Sequence, residues 1–96
     1  MDMSSRTKLK IADEIRDLIR HMHPNLKKKV RSALSEIIEN PFSGTSLIGE
    51  LKGLRSSRVG RFRIIYRPSP EPTEIIAIGP RRIIYEETFR LIQKEA

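Results

Sequence analysis

Residues 61–67 alternate between two kinds of side chain, and this alternation limits the possible folds more than any other feature. Phe62, Ile64 and Tyr66 occupy every second position. The positions between and beside them are Arg61, Arg63, Ile65 and Arg67. Because successive side chains of a strand point to opposite faces of a sheet, the pattern predicts a strand with one face on a core and one face rich in guanidinium groups.

The alternating segment lies in a strongly basic third of the chain. Residues 51–82 contain eight basic side chains against two acidic ones, so they carry +6 of the formal net charge of +7. Such an imbalance repels itself unless a polyanion or an acidic partner relieves it, and the planar fork of arginine matches phosphate oxygens. The segment therefore predicts a phosphate-handling surface. The alternative is a solvated sheet face whose arginines keep an edge strand soluble.

Length and composition limit the class of protein. Ninety-six residues, 38% of them hydrophobic, suit a single domain over residues 1–96. The absence of cysteine excludes a disulfide framework and a thiolate zinc site. The first twenty residues have no continuous apolar run, which predicts no secretory signal, no membrane anchor and a cytoplasmic location.

The first half of the chain predicts a strand followed by two helices. Residues 6–11 alternate as a half-buried strand does. From Ala12 to the break at Pro24 the apolar residues recur at helical spacing, and residues 24–40 carry a second apolar stripe. The short link makes these helices antiparallel neighbours. Residues 41–50, rich in Ser, Thr and Gly, predict a loop.

The second half predicts three strands and a helix. Residues 55–59 are predicted to form a strand. Gly60 then makes the tight turn that connects it to the strand at residues 61–67, the arginine strand. Residues 73–78 are nearly all apolar, which favours a strand covered on both faces, and residues 84–92 recur at helical spacing. The prolines that end the arginine strand are Pro68, Pro70 and Pro72.

Together these elements predict an α+β fold. Its parts are an N-terminal strand, an antiparallel helical hairpin on one face of a small, mostly antiparallel four-stranded sheet, and a short C-terminal helix. The opposite face of the sheet is expected to stay open.

Arg63, Arg81 and Tyr85 form the candidate site. Arg63 in one strand and Arg81 at the end of its neighbour are expected to approach each other, with Tyr85 one helical turn beyond Arg81. The set has no carboxylate pair, nucleophilic cysteine or metal cage, so we expect no metal and no cofactor. Cleavage of RNA needs no metal and no nucleophile from the protein, because the substrate's own 2′-hydroxyl is the nucleophile. The protein has only to align this hydroxyl, stabilise negative charge and manage the protons. The alternative for Tyr85 is a ring packed on the core with its hydroxyl at the rim.

Several segments resemble the RelE/ParE superfamily of bacterial and archaeal toxins. They are Leu-Lys-Gly-Leu at 51–54, Ser-Arg-Val-Gly-Arg-Phe-Arg-Ile-Ile-Tyr at 57–66, Ile-Ala-Ile-Gly-Pro-Arg-Arg at 76–82, and Tyr85-Glu86. The resemblance covers essentially the whole chain and implies a microbial-RNase-like fold. It also implies a type II toxin that enters the ribosome and cuts messenger RNA. Its implied partners are the ribosome, messenger RNA and a cognate antitoxin, with operator DNA bound only through the antitoxin complex.

The resemblance implies roles for individual residues. Arg63 matches the family's catalytic arginine on the middle strand, and Arg81 matches the arginine after the Gly-x step. Tyr85 matches the C-terminal tyrosine that stacks on or deprotonates the substrate. The residues expected to bind RNA are Lys52, Arg55, Arg58, Arg61 and Arg82.

One stretch departs from the family pattern and leaves the general base open. The best-studied RelE members carry two lysines on the strand before the turn, whereas this chain has Leu54 or Arg55 and Ser56 there. Lys52 and Arg55 are the nearest substitutes. The expected function is a metal-independent, ribosome-dependent endoribonuclease. The alternatives are a ParE-like inhibitor of DNA gyrase and a binding module without catalysis.

Overall fold

The structure is a computed structural model that describes residues 9–69 and 72–95. In chain order its elements are β1 (Leu9–Ile11), α1 (Asp13–Arg20), α2 (Pro24–Glu39), β2 (Thr45–Ser46), a 3-10 turn (Gly49–Leu51), β3 (Arg55–Val59), β4 (Phe62–Arg67), β5 (Thr73–Pro80) and α3 (Arg81–Glu95). The strands form one sheet in the order β1-β5-β4-β3-β2. The β1–β5 pair is parallel and the other pairs are antiparallel. The predicted α+β fold, with its mostly antiparallel sheet, is confirmed.

Three elements differ from the sequence prediction. Strand β5 continues to Pro80 instead of ending at residue 78, and its last two residues pair with Arg63 and Phe62 of β4. The expected loop at 41–50 contains β2, which pairs with β3, so the sheet has five strands rather than four. Two residues are too few for an alternating pattern to show. The C-terminal helix is longer than the predicted 84–92, because its polar ends carry no apolar period. Residues 6–8 of the predicted first strand, and Pro70, lie outside the described residues.

The helical hairpin covers one face of the sheet. Alternation along β4 places Ile64 and Tyr66 on this face, where both are fully buried. They belong to one core cluster with Val30 and Ile37 of α2 and Ile75 of β5. The predicted apolar face of the arginine strand is therefore confirmed, and α2 supplies most of what covers it.

The other face of the sheet is partly covered by α3. Leu54 of β3, Ile65 of β4 and Ile84 of α3 are buried together in a second, smaller core. The prediction that this face stays open is therefore wrong at the sheet centre, where the C-terminal helix folds back over β4 and β5. The face remains exposed at the β3–β4 turn, around Gly60 and Arg61.

Tyr66 fixes the loop between α2 and β2. Its hydroxyl donates to the Pro41 carbonyl at 2.8 Å and accepts from the Gly44 N–H at 3.0 Å. A Cβ on Gly44 would lie 2.6 Å from the Tyr66 oxygen and 2.8 Å from the carbonyl oxygen of Ser56. The loop can approach β3 this closely because residue 44 has no side chain.

Replacing Tyr66 by phenylalanine is expected to lower the free energy of unfolding by about 1–3 kcal/mol, because two part-buried backbone groups lose their partner. Urea denaturation followed by circular dichroism measures the change. Tyr85→Phe is the matched control, since it removes a hydroxyl that bonds one serine and no backbone group. A loss for Tyr66→Phe no larger than for Tyr85→Phe would contradict this role of Tyr66.

Candidate functional site

The β3–β4 hairpin and the start of α3 position the predicted site residues. Gly60 makes the hairpin turn with a φ of 61°, a left-handed conformation that glycine adopts without strain. The resulting register places Arg63 directly opposite Arg58 on β3 and Gly79 on β5. Helix α3 follows, and its second turn carries Tyr85 over the same face, where its ring packs against the smaller core.

Ser56 connects Arg63 to Tyr85. The Arg63 Nη1 donates to the Ser56 Oγ at 3.3 Å, and the Tyr85 hydroxyl oxygen lies 3.3 Å from the same Oγ. Ser56 is only 2% exposed, whereas Arg63 and Tyr85 are half-buried. The structure therefore brings together two of the three predicted catalytic residues through a side chain that sequence reasoning did not select.

The alternation of β3 contained a signal for Ser56. A period of two places Leu54, Ser56 and Arg58 on one face of the sheet. Ser56 therefore lies between a core residue and a basic residue, at the boundary where a polar site begins. The sequence did not show that α3 would bring Tyr85 to this boundary.

Arg81 lies at the same end of the sheet but outside this hydrogen-bonded group. Its backbone N–H donates to the Arg61 carbonyl at 3.0 Å, which extends the β4–β5 ladder past Phe62 and Pro80. Its side chain is exposed. One helical turn separates Arg81 from Tyr85, so the two share a face of α3.

Three of the residues expected to bind RNA are exposed. Arg58 and Arg61 flank the β3–β4 turn, and Lys52 follows the 3-10 turn. That turn packs against the smaller core through Leu51. Arg82 belongs to the first turn of α3, and its side chain lies outside the described part of the chain.

Arg55 is positioned differently from the other basic residues. It lies on the opposite face of β3, where its Nη1 donates to the carbonyls of Phe42 at 3.1 Å and Gly44 at 2.6 Å. Its guanidinium carbon lies 5.0 Å from the centroid of the Phe42 ring, which is within cation–π range. These contacts make Arg55 a support for the loop before β2.

The opposed arginines give the site its electrostatic character. Arg58 and Arg63 face each other across the β3–β4 pair, and like charges in this position destabilise a sheet. A groove of about 430 Å³ reaches both side chains and Ser56, and it is bordered by Glu36 and Glu39 of α2. The ion pairs found among the described residues lie elsewhere. An anion bound between the two guanidinium groups would relieve their repulsion.

The described residues offer cationic, hydroxyl and phenol groups at this site. No three His, Cys, Asp or Glu side chains in residues 9–69 and 72–95 come together as a metal site. The helices in the same residues are too short or too polar to span a bilayer.

Residues 6–85 match the family model described as the ParE toxin of the type II toxin-antitoxin system parDE. The chain belongs to the ParE toxin family. The match covers most of the chain and includes Arg63, Arg81 and Tyr85. It confirms the resemblance to the RelE/ParE superfamily and makes this chain a toxin of the type II toxin-antitoxin class. No curated protein sequence matches the chain significantly.

Two solved structures share the fold of this ParE-family chain. One is a chain of the toxin-antitoxin complex RelBE2 from Mycobacterium tuberculosis, with a TM-score of 0.66 and 23% identity over 78% of this chain and 98% of that chain. The other is the free Escherichia coli toxin RelE carrying two arginine-to-alanine substitutions, with a TM-score of 0.72 and 15% identity over 93% and 96% of the two chains. At these identities the similarity shows a common fold.

Proposed function

We propose that this ParE-family toxin is a ribosome-dependent endoribonuclease that cuts messenger RNA and so inhibits translation. The observation that carries the proposal is the contact of Arg63 and Tyr85 with one serine, at 3.3 Å each. This contact holds the Arg63 guanidinium and the Tyr85 phenol together, at the end of the sheet where Arg58 lies opposite Arg63. A ribose-phosphate link has the charge and the hydroxyl groups that such a site recognises.

The reaction needs no nucleophile from the protein. The 2′-hydroxyl oxygen of the RNA attacks the adjacent phosphorus while the bond to the 5′-oxygen breaks, which leaves a 2′,3′-cyclic phosphate and a 5′-hydroxyl. Arg63 and Arg81 stabilise the extra negative charge of the phosphorane. Neither acts as the base, because arginine stays protonated in proteins. Tyr85 either positions the nucleobase or exchanges a proton with the substrate.

The remaining basic side chains are assigned to the RNA backbone. Lys52, Arg58, Arg61 and Arg82 contribute phosphate contacts, which position a nucleic acid without reading its sequence. Arg55 is left out of this set because its Nη1 binds two carbonyls on the opposite face of the sheet.

The proposal includes a cognate antitoxin protein as partner. RelBE2 is a toxin-antitoxin complex, and an acidic protein surface would neutralise the basic third of this chain. Operator DNA is bound only through that complex. Action on ribosomes and messenger RNA places the toxin in the cytoplasm, away from membranes, and the reaction uses no cofactor.

A second candidate function is inhibition of DNA gyrase by protein contact. The family-model match favours it, because the matching family is described as ParE. In that case Arg63 and Tyr85 contribute no chemistry, and the basic face binds a protein.

Induction of the chain in growing cells, with parallel labelling of protein and DNA synthesis, separates the two candidates. RNA cleavage at ribosomes is expected to stop amino-acid incorporation first, while thymidine incorporation continues. Gyrase inhibition would stop DNA synthesis first and trigger DNA damage signalling. Growth without arrest would contradict both and leave a binding module without catalysis.

A further inference from the structure

We propose that Ser56 is a positioning residue that sets the resting orientation of Arg63 and Tyr85 for RNA cleavage, an inference that rests on the proposed ribonuclease function. Three serine or threonine side chains are buried among the described residues, and two of them donate to the backbone carbonyl four residues earlier. Thr73 bonds Ser69 and Thr88 bonds Ile84. Ser56 instead bonds side chains from two other elements, β4 and α3.

The chemistry of the three groups gives the bridge a direction. A guanidinium group only donates hydrogen bonds, so Arg63 uses one lone pair of the Ser56 oxygen. The serine can then donate its own hydrogen to the Tyr85 oxygen. In that arrangement both bonds run from the cation to the phenol, and bonds in such a chain strengthen one another. The hydrogen of Tyr85 is left free to point away from Ser56.

The backbone of Ser56 is well suited to hold two side chains in place. Ser56 pairs with Ile65 of β4 on one side and with Thr45 of β2 on the other. Its carbonyl oxygen also lies close to Gly44. Functional groups that stand on paired strands are held more precisely than groups on loops, so Ser56 provides a rigid reference for Arg63 and Tyr85.

Because Ser56 is buried, its effect on the cleavage rate can be measured separately from any effect on RNA affinity. At 2% exposure its side chain offers very little surface to a bound RNA, although the groove beside Arg58 and Arg63 reaches it. Its loss is therefore expected to alter the rate of the chemical step and to leave RNA affinity unchanged. A residue that bound the RNA would instead alter affinity.

Ser56→Ala is expected to slow single-turnover cleavage of ribosome-bound messenger RNA by about 10- to 100-fold, because small misplacements of catalytic groups cost this much. The toxin concentration for half-maximal rate is expected to stay the same. Ser57→Ala is the matched control, since Ser57 is the next residue on β3 and faces the other side of the sheet. It is expected to leave both quantities unchanged.

A second measurement tests the bridge without any cleavage assay. The chain has two tyrosines, so labelling the tyrosine Cζ with carbon-13 gives two signals, which Tyr85→Phe assigns. We expect Ser56→Ala to shift the Tyr85 signal and leave the Tyr66 signal in place, and we expect Ser57→Ala to shift neither.

The outcomes separate this inference from the proposed function. A Tyr85 signal unmoved by Ser56→Ala would show that the bridge is absent, and a moved signal with a full cleavage rate would show that the bridge positions nothing that matters. Either result overturns the inference while leaving the ribonuclease proposal standing. A parent protein that cuts no RNA on ribosomes overturns the proposed function and this inference together.

Discussion

Arg63→Ala is expected to slow messenger RNA cleavage by about 100- to 1000-fold, the usual effect of removing one preorganised donor from a developing negative charge. Arg63 contributes a fixed positive charge and its Nη1 also holds Ser56. The substitution therefore removes transition-state stabilisation and loosens the contact between Ser56 and Tyr85. Growth arrest after induction is expected to disappear with the activity.

Cleavage of ribosome-bound messenger RNA by the purified protein measures this effect. Arg20→Ala is the matched control, because Arg20 is an exposed arginine on α1 whose ion pair with Asp17 lies at the surface. It is expected to cleave like the parent. If Arg63→Ala also cleaves like the parent, the group formed by Arg63, Ser56 and Tyr85 is not the catalytic site.

Ile64→Ala is expected to lower the free energy of unfolding by about 2–5 kcal/mol, the range for truncating a buried aliphatic side chain. Ile64 has no exposed surface and packs in the core with Val30 and Ile37. It also lies on β4, the central strand of the sheet, so few neighbours can relax into the cavity. The loss is a large share of the stability of about 5–15 kcal/mol that is typical of small domains.

Urea denaturation of the parent and the variant gives this difference from the shift in midpoint at constant slope. Ile48→Ala serves as the control because Ile48 is 86% exposed, and its cost is expected to stay within about 0.5 kcal/mol. Equal losses for the two variants would show that Ile64 is not packed as described.

The two candidate functions assign different work to the same surface. For RNA cleavage, Arg63 and Tyr85 touch the reacting groups and single substitutions there remove activity. For gyrase inhibition the surface binds a protein, and binding energy is carried by a few anchors that need not include these two. Growth arrest that persists in Arg63→Ala would therefore argue against RNA cleavage and favour gyrase inhibition, independently of the labelling experiment.

Much of the fold follows from local patterns in the sequence. The alternation at 61–67 correctly assigned Ile64 and Tyr66 to the core, because the side-chain period of a strand is a property of its backbone. Gly60 correctly predicted the hairpin turn, because the turn needs a left-handed φ and glycine adopts this conformation without strain. The two helices before β2 followed from apolar stripes that end at prolines. Strand β2 was not predicted, because its two residues are too few to show an alternation of apolar and polar side chains.

The site depended on information that local patterns lack. Alternation shows which side chains of one strand share a face. The β3–β4 register then puts Ser56 and Arg63 on the same face, away from the helical hairpin. Alternation does not show what covers that face, and the return of α3 over the sheet is what brings Tyr85 to Ser56. For the same reason Arg55 looked like one more free cation, although its guanidinium supports a loop. The sequence by itself determined the longer strands, the hairpin turn and the charge. Tertiary packing decided the meeting of Arg63, Ser56 and Tyr85, because these residues come from three different elements of the fold.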